Sequence, residues 1–227
     1  MTTDRAKRAA GEAAAELVTS GMRLGLGTGS TVAYFLEAVA ARALEVEGVP
    51  TSEATAARCR ELGIGLLDPA EVDRLDLCVD GADELDRALN LTKGGGGALL
   101  REKVVAGLAD RMVVIATPDK VVDRLGDSFP LPVEVVPFAI GPVRRRLEAL
   151  GFEVSERRAG GELSLTDNGN AIVDCRMRGG IADPSALEST LAMTPGVAES
   201  GLFIGLATLA LLGSSDGTVE RLEAPSA

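Results

Sequence analysis

The chain has 227 residues, 46% of them hydrophobic and only 3% aromatic, and carries a formal net charge of −11. At this length roughly 70 to 75% of the unfolded surface can be buried, so a core of Ala, Val, Leu and Ile needs no disulfide or metal staple. The acidic balance without a long basic cluster excludes nucleic acid and anionic membranes as generic partners, and the lack of any histidine excludes Ser-His and Cys-His catalysis and every histidine metal site.

From the N-terminus, Thr3 or Asp4 can cap a helix running to about residue 18, which Gly21 ends. "MRLGLG" reads as a short strand, "TVAYFLEAVAARALEV" has the length and spacing of a helix, and "GVPT" is a second strand. "EATAARCRELG" is a helix stopped by Gly63, and "LDLCVD" is a buried strand ending at Asp80. The glycine run at 94–97 leads into a helix, "ALLREKVVAGLA", and then another apolar strand, "RMVVIA". Strands alternating with helices imply a mostly parallel sheet covered by helices on both faces.

The pattern changes near Phe129. "FPLPVEVVPFA" is extended and punctuated by proline, "PVRRRLEALG" is a helix begun by Pro142, and "LSLTDNGNAIVDCRM" is a hairpin around Asn168-Gly169. "DPSALESTLAM" is a helix starting at Pro184, and "ATLALLGSSDGTVERL" is one more apolar strand returning to the first sheet. The expected division is therefore a parallel-sheet domain over 1–128, completed by 206–227, and a smaller α+β domain over 129–205. Cys59, Cys78 and Cys175 are widely spaced and form no CxxC, as buried reduced thiols in the cytoplasm do. The N-terminal stretch shows no apolar signal core, which fits the same location.

Ligands of open parallel sheets bind beyond the carboxyl ends of the strands, and three loops there carry unusual chemistry. "GLGTGST" presents Thr28, Gly29, Ser30 and Thr31 before a helix, either as a phosphate cradle or as a tight turn requiring glycine. Ser30 stands where a dinucleotide fingerprint needs its third glycine, although Glu53 could mimic the ribose-binding acid. "DGADELD" holds Asp80, Gly81, Ala82 and Asp83; Asp83 can open a helical turn so that both carboxylates face a crevice, or cap a simple Asp-Gly turn, or share a metal with Asp80. "KGGGGALLREK" removes side chains at Gly94, Gly95 and Gly96, so that backbone can approach a ligand with Lys93 at one end and Glu102 on the following helix; the alternative is a surface lysine and a solvated glutamate.

Together, "GLGTGST", "VDGADE" and "KGGGGALLREK", followed by "FPLPVEVVPFA", "LTDNGN" and "PGVAESGLF", resemble the ordered segments of the ribose-5-phosphate isomerase A family over about residues 7–216. The resemblance implies an aldose-ketose isomerase acting on a phosphosugar, with Glu102 as the general base between C1 and C2 and Lys93 as the charge beside the enediolate. It implies that Asp80 and Asp83 handle ring opening and the sugar hydroxyls, and that Thr28 to Thr31, Lys7 and Lys120 contact substrate and phosphate. It also implies a Rossmann-like catalytic domain beside a smaller α+β domain, and a homodimer or a dimer of dimers. Such chemistry needs a base, an oxyanion partner and exclusion of water, so no metal or organic cofactor is expected.

Overall fold

The computed structural model describes residues 2–224. Helix α1 (Thr2–Ala15) is followed by β1 (Arg23–Leu26), α2 (Ser30–Ala41), β2 (Glu47–Pro50), α3 (Glu53–Leu62), β3 (Gly65–Leu66) and β4 (Leu77–Asp80). Two short strands, β5 (Glu84–Leu85) and β6 (Leu91–Thr92), precede α4 (Leu99–Leu108) and β7 (Met112–Ala116). Next come β8 (Leu131–Val135), α5 (Ile140–Ala149), β9 (Glu153–Glu156), β10 (Arg158–Ala159), β11 (Glu162–Leu163), β12 (Ala171–Arg176), α6 (Pro184–Ala192) and β13 (Val197–Ser200). The order is completed by β14 (Leu202–Phe203), β15 (Ala207–Gly213) and β16 (Val219–Glu223).

The main sheet runs β16-β15-β7-β4-β1-β2-β3 and is parallel except where β16 pairs with β15. Its strands feed two cores by alternation, as a period of two requires. Leu77, Val79, Val113, Ile115, Leu209 and Leu211 meet α1 and α2 through Ala10, Ala14, Phe35 and Val39. The intervening Cys78, Met112, Val114, Ala210 and Leu212 meet Val105 and Ala106 of α4 on the other face. Each such large apolar side chain contributes roughly 1.5–3 kcal/mol when fully buried, which commits the central strands to one register. The mostly parallel sheet with helices on both faces is thus present, and the smaller α+β part is an antiparallel sheet in the order β13-β8-β12-β9 that packs on α5 and α6 through Val143, Leu147 and Leu191.

Several elements depart from their sequence pattern. α1 begins before Thr3, so neither Thr3 nor Asp4 caps it, and it ends at Ala15 because Leu17 and Val18 switch to bonds three residues back. α2 ends at Ala41 instead of near residue 46; Arg42 turns aside and its guanidinium donates to the carbonyls of Ala15 and Val18, closing α1 as it leaves α2. α5 starts at Ile140, before Pro142, which sits in the first turn where a missing N–H costs nothing. Asn168-Gly169 does turn the chain, with Thr166 N–H bonded to Asn170 O, but only Leu165 bridges Ala171, and β12 pairs instead with β8 and β9. The tail is two strands, because Ser214 and Thr218 bond across a tight turn with Gly217 at φ +95°. A three-stranded sheet, β14-β6-β5, has no counterpart in the sequence reading, and its strands of two residues are too short to show alternation.

Candidate active site

The carboxyl ends of β1, β4 and β7 converge with the glycine loop on a cavity of about 230 Å³. Its wall includes Lys7, Thr28, Gly29, Ser30, Thr31, Gly81, Ala82, Asp83, Lys93, Gly94, Gly95, Gly96, Glu102 and Lys120. Asp80 is the one candidate outside that wall: it is fully buried at the end of β4, behind Lys93. A larger groove of about 620 Å³ runs beside α1 and β16, but its ionisable side chains are all exposed and nothing in it is poised for chemistry.

Asp80 is held rigidly. Oδ1 accepts the N–H groups of Thr28 (3.1 Å) and Gly81 (2.7 Å), while Oδ2 lies 3.1 Å from the Lys93 ammonium. β1 and β4 approach so closely here that a Cβ on Gly27 would fall 2.3 Å from the Asp80 carboxyl, which is why the loop opens with glycine. Thr28 is fixed in turn by a hydroxyl cluster with Thr51, Ser52 and Thr55, at 2.7 to 3.0 Å. Ser52 also caps α3 through Thr55 N–H, so one short segment starts a helix and pins the cavity floor.

Lys93 is buried, with its ammonium donating to Gly81 O at 2.6 Å and standing 3.3 Å from Glu102 Oε1. Its surface and solvated alternatives are therefore excluded, for Lys93 and Glu102 alike. Burial alone lowers the proton affinity of the ammonium, but Asp80 and Glu102 more than offset this and hold it above the ordinary lysine range. Glu102 is pushed up to about 8, first by desolvation and then by Asp80, against the pull of Lys93. Its Oε2 is buried on the cavity side of α4 without a hydrogen-bond partner among the described residues. An ionisable oxygen left without a partner in a polar cavity is where a ligand proton can be exchanged.

Asp83 neither opens a helix nor caps one. It runs extended into β5, its N–H bonded to Thr92 O, and its Oδ2 accepts the Gly95 N–H at 2.7 Å. Burial raises its carboxyl and the Gly95 bond opposes the rise. At the other end of the cavity Gly29 precedes α2 with no side-chain cap, leaving first-turn N–H groups beside Ser30 and Thr31 open to an anion. Lys7 donates to Ser30 Oγ at 2.9 Å, and Lys120 joins the same wall from the turn Pro118–Lys120 after β7. Glu53 does not take part as a ribose-binding acid: it points outward, 68% exposed, and pairs with Arg101 at 2.9 Å.

Val32, Ile115, Ala116 and Thr117 also line the cavity and were not singled out from sequence. Thr117 follows directly after an apolar strand, so the rule that marked the other loops also marks it. Glu84 had no such signal. It is buried in β5, where its two oxygens accept the N–H groups of Gly126, Ser128 and Phe129 and so hold the crossing segment between the two larger sheets.

Sheet and cavity together define an α/β protein that sets a buried lysine-glutamate pair and an uncapped helix N-terminus on the wall of one small chamber. Residues 47–217 match the family model described as ribose 5-phosphate isomerase A (phosphoriboisomerase A). The ribose-5-phosphate isomerase A of Roseiflexus sp. (strain RS-1) is 51% identical, the match covering 97% of each chain. Among solved structures, the ribose 5-phosphate isomerase A of Methanocaldococcus jannaschii superposes with a TM-score of 0.90 at 38% identity, covering 96% of this chain and 97% of that one. A D-ribose-5-phosphate isomerase in complex with phospho-erythronic acid superposes at 0.94 with 35% identity, covering 98% and 100%. The chain belongs to the ribose 5-phosphate isomerase A family.

Proposed function

We propose that this chain interconverts D-ribose 5-phosphate and D-ribulose 5-phosphate through an enediolate, a step of the non-oxidative pentose phosphate pathway. The observation that carries the reading is the Lys93-Glu102 pair, with a buried, unpartnered Glu102 oxygen on the cavity wall. Glu102 as carboxylate takes the proton from C2 of the open-chain aldose and returns it to C1, and the Lys93 ammonium stabilises the negative oxygen that develops between those steps. A base whose pKa lies near the working pH combines adequate basicity with adequate population of the active form. Asp83, the carboxylate on the wall, exchanges protons with the ring and chain hydroxyls. Asp80 acts through Lys93, because it has no access to the cavity.

The phosphate occupies the open end of α2 beside Ser30, Thr31, Lys7 and Lys120. Gripped away from the reacting carbons, it supplies binding energy that holds C1 and C2 against Glu102. The complex of a relative with phospho-erythronic acid supports this division, since that molecule joins a phosphate to a carboxylate, whose negative oxygens stand in for those of the enediolate. No metal or organic cofactor takes part in any step. The same reading makes the protein cytoplasmic, in keeping with three buried free cysteines, and divides it into 1–128 with 206–227 around an inserted 129–205. Among the described residues no helix is long and apolar enough to cross a membrane.

The test is isomerisation of ribose 5-phosphate in deuterated water with excess chelator, beside Glu102→Gln. Wild-type turnover with deuterium entering the product, and a loss of about 10²- to 10⁴-fold in the variant with phosphate-ligand affinity kept, is expected for a positioned base. Saturable phosphosugar binding without turnover would mark a sensor instead of an enzyme.

A further inference from the structure

The glycine wall has no side chains of its own, so something else must set the direction of its peptides. Gly94 sits at φ +107°, and the peptide between Gly94 and Gly95 has a glycine on either side. Such a peptide can turn over at little steric cost, which would exchange its N–H for its carbonyl. Which end faces the cavity matters, because the N–H of this peptide is the one Asp83 Oδ2 accepts at 2.7 Å. The reversed peptide would bring a carbonyl oxygen against a carboxylate.

Its other end is claimed by the smaller sheet. Arg157, between β9 and β10, is fixed through its backbone to Ile172 O and Ser164 N–H, both at 2.9 Å. Nε and Nη2 grip the two oxygens of Asp174 on β12, at 3.0 and 2.5 Å. That grip fixes the plane of the guanidinium, and Nη1 then donates to Gly94 O at 2.8 Å and to Gly95 O at 3.1 Å. Because a peptide is planar and trans, a donor on the Gly94 carbonyl dictates where the Gly95 N–H points. Arg157, one peptide unit and Asp83 thus form a single hydrogen-bonded row, polarised in one sense.

Building on the roles given to Asp83 and the glycine wall above, we propose that Arg157 is a positioning residue of the active site, which holds the Gly94-Gly95 peptide so that its N–H serves Asp83. Arg157 reaches across from the smaller sheet, so the orientation of a catalytic wall depends on the packing of that sheet. Lysine cannot replace it, since an ammonium lacks the fork that grips Asp174 and reaches the carbonyl together. The groups that face Asp83 are Lys93, Lys120, Arg157 and Glu102, and of these only Arg157 also bonds the carbonyls of Gly94 and Gly95.

The experiment compares Arg157→Ala, Arg157→Lys and Asp83→Asn in kcat, KM, pH profile and thermal unfolding, with guanidinium chloride and methylammonium chloride as added cations. A cavity of about 260 Å³ adjoins Arg157 and admits a small cation. Losing a charge-assisted bond to the wall should lower kcat in both Arg157 variants by about ten- to a hundredfold. Guanidinium should restore Arg157→Ala where methylammonium does not, and the rising limb set by Glu102 should stay in place. Wild-type kcat in Arg157→Ala, or a loss that tracks unfolding and is not rescued, would overturn the inference. Unchanged turnover in Asp83→Asn would overturn the role of Asp83 itself, and the inference with it.

Discussion

At the residue scale, Asp80, Lys93 and Glu102 are buried against one another beside the cavity. The raised Glu102 carboxyl gives the proposed role a kinetic test. With Glu102 as the proposed base, which works only when deprotonated, kcat/KM should climb with pH and level off above about 8. Asp80 contributes to that rise by repelling the Glu102 charge, so Asp80→Asn removes the repulsion and should shift the rising limb to lower pH. A limb that stays in place or moves upward would separate the profile from this pair. Glu102, Lys93 and Asp83 were legible because a charge stands out beside glycines and at the end of an apolar strand. Glu84 and Arg157 were not, because each acts through backbone groups that only the folded chain brings near. The depth of Asp80 was equally hidden, since a strand-end aspartate reads the same whether it faces a cavity or lies beneath a lysine.

At the element scale, close approaches govern which residues are tolerated. A Cβ on Gly95 would lie 2.6 Å from Asp83 Oδ1, so Gly95→Ala should displace that carboxylate and cut kcat/KM by about 10²-fold, the scale of a misplacement near 1 Å. Gly96 has nothing within 4 Å, and Gly96→Ala should leave thermal stability at the wild-type value; calorimetry on both variants decides the contrast. Gly213 ends β15 under α1, where a Cβ would meet Ala6 O at 2.0 Å. Gly213→Ala should destabilise by about 1–3 kcal/mol in a denaturant titration, and a neutral result would mean that α1 can lift from the sheet. The strands of the main sheet were plain in the sequence because burial on both faces makes them continuously apolar. The helix ends were misjudged where a distant side chain, as with Arg42 on the last carbonyls of α1, supplies the cap.

At the scale of the whole molecule, the smaller sheet does two jobs. It sends Arg157 to the glycine wall, and it carries Phe138 and Met193, which are 96% and 82% exposed. Their segments are joined where Val136 N–H bonds Gly196 O, and large apolar side chains this exposed are of the kind that associating proteins cover. The family resemblance leads to the expectation of a homodimer or dimer of dimers; were these two residues its contact, Phe138→Asp with Met193→Asp should lower the mass in light scattering while leaving the fold intact, and an unchanged mass would count against a contact at Phe138 and Met193. The succession of strands and helices revealed the main sheet, whereas the exposure of Phe138 and Met193 leaves no periodic mark in the sequence.

Gly201 holds the Lys93 N–H at 2.8 Å, the Phe203 ring lies 5.5 Å from the Lys93 ammonium, and β15 must still insert beside β7. On a ribosome adding roughly 5–20 residues per second, Gly201 is made about 5 to 20 s after Lys93. Until then the nascent chain holds Glu102, Lys93 and the loop at residues 28–31 without the strand that fixes Lys93 in place. Enzymatic competence therefore arrives late in translation, and a chain released before Gly201 should carry the site's residues but not its activity.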